Sequence, residues 1–237
     1  MSVVAIHQQL MRKMVVMLKS SDLFLRNSRL AGLLTSFFIF AVVLISGTPV
    51  PEAWLIVPGG ASGAITASTT RRELVERYGA ANVRDQDVEV GEGETEPGTV
   101  LFPRDPKRSI GILWKDPETK RSPRFLTIRG NTSRWRTVHQ ITLGASLKQL
   151  EQINGRPFSL SGFGWDYSGT VTSWQGGVLD KDLDANGRVF IRLDYSAEQA
   201  RNAQNLDQVQ GDRPFASDHP VMQKVNPRVY EIMWEFR

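Results

Sequence analysis

The chain has 237 residues, 41% of them hydrophobic, enough for one large domain or two small ones. Its net charge of +4 comes wholly from residues 1–50, where Arg12, Lys13, Lys19, Arg26 and Arg29 face only Asp22, so the remainder is neutral and lacks the basic footprint of a nucleic-acid-binding domain. With no cysteine, disulfides, thiolate nucleophiles, Cys-based zinc sites and a lipid-bearing N-terminal Cys are all excluded.

From Leu30 to Pro51 no residue is charged, and the strongly apolar run Ala31 to Ser46 follows Arg26 and Arg29 and precedes Gly47, Pro49 and Pro51. Basic, apolar and then small or helix-breaking residues is the order of a secretory signal. The run is short of the ~20 residues of a spanning helix, which favours a cleaved signal peptide over a retained N-terminal membrane anchor. Ala53 and Ala61 are candidate cleavage ends, and Met11, Met14 or Met17 alternative starts. Either way the positive-inside bias places the body in the periplasm or outside the cell, held at the inner membrane by residues 30–51 if the leader stays. Residues 1–53 are thus a leader. Residues 54–64, with Leu55-Ile56-Val57-Pro58 and Gly59 to Gly63, read as a flexible link.

The body repeats a passage at a spacing of 76 residues. Ile65-Thr66, Thr70 to Leu74 and Gly79 return as Ile141-Thr142, Ser146 to Leu150 and Gly155. Thr70 with Glu73, and Ser146 with Gln149, have the spacing of a capping box, in which hydroxyl and carboxylate or amide satisfy free amides reciprocally. Leu74, Val75 and Tyr78, then Leu147, Leu150 and Ile153, sit on one helical face. Gly79 and Gly155 stand at the C-terminal caps. After the first helix come apolar segments at Asp87–Val90, Gly98–Phe102, Ser109–Trp114 and Arg124–Ile128. After the second come Gly164–Tyr167, Thr170–Trp174, Arg188–Tyr195 and Arg228–Phe236. The expected fold is α+β: a tandem pair, 65–131 and 132–237, each a short helix on an antiparallel sheet. The second carries an insert, 196–226, helical over Ala197–Asp207 and loop-like at Gly211–Pro214 and Asp218–Pro220.

Ile141-Thr142-Leu143-Gly144, the capped helix through Gly155-Arg156-Pro157, and Trp165-Asp166-Tyr167 resemble the helix-plus-sheet units of SmpA/OmlA-type outer-membrane assembly lipoproteins and of β-lactamase inhibitory proteins. Ile65-Thr66 through Gly79 is a second, shorter instance. The segment Gly-Phe-Gly-Trp-Asp-Tyr-Ser-Gly, 162–169, is similar to uncharacterised bacterial exported proteins. The resemblance implies action by binding other proteins; the missing lipid-bearing Cys departs from the lipoprotein members.

Four groups are candidate sites. Asp182, Asp184 and Asn186 before Gly187 match the first half of a calcium loop, but position twelve is Leu193 where a Glu is required. A hairpin turning at Asn186-Gly187, between Val178–Leu183 and Arg188–Tyr195, is the preferred reading. Glu89, Glu92, Glu94 and Glu96, among glycines, form either a weak cation site or, as preferred, a solvated loop. Trp165, Asp166 and Tyr167, with Trp174, either stack on a sugar or protein partner or, as preferred, build the core under the helix. Asp218 and His219 offer acid–base chemistry or a plain turn; His139 belongs to no recognisable motif and His7 lies in the leader.

No nucleophile motif joins these groups, so the chain is expected to be no enzyme and to need no cofactor or metal. The expected function is an exported bacterial envelope protein that binds or scaffolds another envelope protein. The alternative is a sugar-binding module or hydrolase using Trp165-Asp166-Tyr167 or Asp218 and His219. Most of any specific binding site is expected in 132–237.

Overall fold

A computed structural model describes residues 54–57, 62–91, 93–184 and 188–236; the leader, Glu92 and the Asn186-Gly187 turn lie outside the described residues. The chain divides into units 1–47 and 48–237, and every described residue belongs to the second.

In chain order the elements are β1 (Leu55–Ile56), α1 (Arg71–Tyr78), β2 (Val83–Gly91), β3 (Glu94–Leu101), β4 (Ile110–Asp116), β5 (Arg121–Arg129), β6 (Arg136–Thr137), α2 (Leu147–Asn154), β7 (Ser159–Ser161), β8 (Val171–Ser173), α3 (Val178–Asp184), β9 (Val189–Asp194), α4 (Ala197–Asn202), β10 (Pro214–Ala216), α5 (Pro220–Val225) and β11 (Arg228–Glu235). The fold is α+β with a mostly antiparallel sheet and few, short helices.

Both expected helices form as their caps predict. The Thr70 and Ser146 hydroxyls accept from the amides of Glu73 and Gln149, whose side chains accept from the cap amides in return. At Gly155 the backbone turns left-handed, with φ 76°, and ends α2. Leu74, Leu147 and Leu150 are buried. Eight-residue helices are marginal alone, and burial against a sheet supplies what propensity does not.

That sheet is shared by the two halves of the body. Six antiparallel strands run in the order β2-β3-β4-β5-β11-β9, so β11, from the end of the chain, pairs with β5, placing Ile232 opposite Ile128 and Trp234 opposite Leu126. On one face Ile110, Ile112, Leu126, Ile128, Ile191, Leu193, Ile232 and Trp234 join the helices in a single core. A smaller sheet, β10-β7-β8, flanks it.

Four local expectations are corrected. Gly164–Tyr167 is no strand but part of a loop, because Gly164 and Gly169 take positive φ and the Ser168 amide turns back to the Trp165 carbonyl. Val178–Leu183 is not a hairpin arm: α3 forms there, since the buried Asn154 Oδ1 accepts from the Leu179 amide and the Asp180 carboxylate accepts from Gly176. Both ends of the stretch taken as a flexible link are fixed, because β1 pairs parallel with β6 and Ile56, Ser62 and Ile65 are fully buried. In the insert, α4 ends at Asn202; Phe215 of β10 and Val221, Met222 and Val225 of α5 then enter the core.

The sheet also curls. A Cβ at Gly98 would stand 2.7 Å from the Ile112 carbonyl and from a Val88 methyl, and one at Gly111 2.8 Å from Val88 and Thr127. Two adjacent strands thus lack side chains where Val88 of the edge strand folds down, and the β2–β3 hairpin arches over the face away from the helices. At its tip Gly91 approaches Arg192 of the opposite edge strand, whose guanidinium would lie 3.3 Å from a Cβ there.

Candidate functional site

The curl leaves a hollow of about 450 Å³ on the sheet face opposite the helix layer. Its apolar surface comes from Val90, Leu113, Phe125, Phe190 and Met233. These residues are on the hollow side because strands alternate: in β5 Leu126 and Ile128 enter the core while Phe125 does not, and in β9 Ile191 and Leu193 flank Arg192.

Charged groups form the walls, and they are paired. Glu231, 1% exposed, places Oε2 3.3 Å from Arg192, and its Oε1 lies 3.7 Å from Arg129 Nε. Arg129 also meets Glu89 of the arching hairpin. Arg124 donates to Glu96 of the same hairpin at 2.5 Å. Arg192, whose side chain is 13% exposed, donates at 2.6 Å to the Asp166 carbonyl, tying in the glycine-rich loop. A β-bulge between Val229 and Glu231 lets Tyr230 join the cluster, with Arg129 and Arg192 5.4 and 5.6 Å from its ring. Burial raises the Tyr230 phenol above its ordinary range, with Arg192 partly opposing the shift. Such a cluster sets geometry more than it adds stability, since desolvation offsets most of the attraction between the charges.

Satisfaction is incomplete. Arg124 Nε, Arg192 Nε, Thr170 Oγ1 and Glu231 Oε1 are buried with no hydrogen-bond partner, and all four residues line the hollow. Each such group carries about 1–3 kcal/mol of desolvation cost.

The described side chains of the acidic loop stay in contact with water, as preferred, and two of them add ion pairs to arginines. Glu89 and Glu96 pair with arginines while their side chains stay close to half exposed, Glu94 is exposed at the rim, and Glu92 lies outside the described residues. The aromatic segment divides. Trp174 is core, as preferred, but Trp165 is half-buried and Tyr167, 54% exposed, stands at the hollow's rim. Their rings meet nearly edge-on, 5.3 Å apart at 65°, which is no flat platform for a sugar ring. Asp166 is exposed and contributes its carbonyl.

Asp218 and His219 are remote in role from this hollow. His219 Nδ1 accepts from the Val221 amide at 3.2 Å, capping α5, and its ring packs edge-on against Phe215. His139 is half-buried in the turn after β6. Asp182 and Asp184 fall on α3, and Asn186 lies outside the described residues. Among the described residues no three acidic, His or Cys side chains cluster as metal ligands. None of their helices is long and apolar enough to cross a membrane.

Sequence reasoning missed Arg124, Arg129, Arg192 and Glu231. The available signal was charge in the middle of otherwise apolar strands: Arg124-Phe-Leu-Thr-Ile-Arg129, Phe190-Ile-Arg192-Leu and Val229-Tyr-Glu231-Ile. No family description, no curated protein and no solved structure matches the chain.

Proposed function

We propose that the chain is an exported bacterial envelope protein that acts by binding another envelope protein, without catalysis, in the periplasm or outside the cell. Residues 1–53 serve as its signal peptide or membrane anchor, and the two capped helices mark a tandem repeat of the SmpA/OmlA-like or β-lactamase inhibitory protein-like type. The observation that carries the binding reading is the hollow itself. A sheet with one face covered by helices keeps its other face concave, floored by Leu113, Phe125, Phe190 and Met233, with the exposed Tyr167 on the rim. Concave apolar surfaces with a few convergent polar groups are where proteins bind, and Tyr is enriched at protein interfaces. The wall charges neutralise one another in pairs, which suits recognition better than proton transfer.

Photo-crosslinking in intact cells tests this. A benzophenone side chain at position 167 is expected to trap a discrete envelope protein, whereas the same group at Arg72, exposed on α1 on the other side of the sheet, traps none. Equal capture at both positions, or none at 167, would overturn the reading.

A further inference from the structure

We infer that the hollow also binds an uncharged amphiphile: an apolar chain or ring system carrying a head, such as an amide or hydroxyl, that both accepts and donates hydrogen bonds. It is the same hollow that the protein-partner reading invokes, but ligand binding does not rest on that reading, since each has its own test.

Three observations define the ligand. First, the hollow's volume of about 450 Å³ falls within the range of small-molecule sites, and its apolar lining includes two aromatic rings, Phe125 and Phe190. Second, the charges of its wall are matched in pairs, the interior Arg192 with Glu231 and the half-exposed Arg124 with Glu96. Among the described residues, the one lining charge without an ion-pair partner, Glu94, is exposed to water at the rim, so a ligand carrying net charge loses its hydration on entering and finds no unmatched counter-charge deeper in. Third, what is left over in the wall is hydrogen-bonding capacity rather than charge. Arg124 Nε and Arg192 Nε are donors without an acceptor, Glu231 Oε1 is an acceptor without a donor, and the Thr170 hydroxyl is both. Small side-chain rotations turn these groups from the wall toward a bound head, which then supplies the partners they lack. An uncharged head with a carbonyl or hydroxyl oxygen and an N–H or O–H answers that set. A carboxylate answers only the donors, and an ammonium only the acceptors.

The test uses the full chain and the uncharged fluorescent probe N-phenyl-1-naphthylamine. Met233→Trp fills the hollow, and the probe binding it abolishes is that of the hollow rather than of the apolar leader. Decanamide, decanoate and decylammonium, below micelle-forming concentrations, then compete with the probe. Decanamide is expected to displace the hollow-bound probe at a roughly tenfold lower concentration than either charged analogue. A second variant, Thr170→Val, keeps the side chain's shape and removes the hydroxyl. It is expected to weaken decanamide severalfold more than it weakens the probe, whose one N–H answers less of the set, and it carries the test alone if Met233→Trp fails to fold. Displacement by all three heads equally, preference for a charged head, or decanamide binding that ignores Thr170→Val would overturn the proposal.

Discussion

Glu231 shows how much one residue can hold in place. Its buried carboxylate lies between Arg129 and Arg192, on strands either side of β11. Glu231→Gln removes the charge but keeps the size, leaving Arg192 without a counter-ion and Arg129 with Glu89 alone; stability in urea is expected to fall by about 3 kcal/mol. Combining Arg192→Met with Glu231→Leu is expected to recover most of that loss, because an apolar pair of similar volume needs no desolvation compensation. A double variant no more stable than Glu231→Gln would show that the ion cluster is irreplaceable. Asp85 gives a pH-dependent counterpart. Burial alone would raise its carboxyl, but hydrogen bonds from Arg71, Lys120 and Thr99 outweigh that and hold it below the usual carboxylate range. A depressed folded-state pKa contributes stability above the unfolded value of about 4, and that contribution is lost as pH falls further. Asp85→Asn is therefore expected to cost about 1 kcal/mol at pH 7, discounted for partial exposure, and nothing at the acid end. Thermal melts from pH 7 to 2.5 check this; a constant difference across the range would contradict it.

Among the elements, the two capped helices were legible in sequence because their signals are local: hydroxyl, Glu or Gln three residues on, apolar spacing, terminal glycine. The strand segments were legible as apolar runs, but their partners were not. Pairing β11 with β5 joins segments about a hundred residues apart, and no local pattern states it. α3 was missed because its first turn is capped by Asn154, a residue more than twenty positions away. The hollow was missed because it depends on the curl, and the curl depends on Val88 lying over two glycines of other strands. Gly111→Ala is therefore expected to destabilise by roughly 1–3 kcal/mol through overpacking. Val88→Ala in the same chain should recover part of the loss, giving a non-additive pair in denaturant titration. Additive losses would mean that Val88 is not what Gly111 makes room for.

Among the described residues, those at the start, Trp54 to Val57 and Ser62, are tied to the core around the C-terminal strand. The Trp234 indole donates to Ser62 at 3.0 Å, Ser62 also accepts from Val57, and Trp54 meets Trp135 edge-on at 5.3 Å. If export proceeds by cleavage, the mature chain is expected to begin at or before Trp54, because cutting after Ala61 would discard the buried Ile56, worth about 1.5–3 kcal/mol. Intact-mass measurement of the exported protein decides this, and a start at Ser62 would contradict it. The central claim, that the hollow of the curled sheet binds a ligand, can be read from two side chains. Beyond the leader the sequence holds only two methionines, Met222 in the core and Met233 in the hollow. Methyl NMR of the full chain labelled at Met, with Met233→Leu assigning its signal, is expected to show the Met233 resonance moving on decanamide addition while Met222 stays fixed. A stationary Met233, or both resonances moving together, would contradict the account.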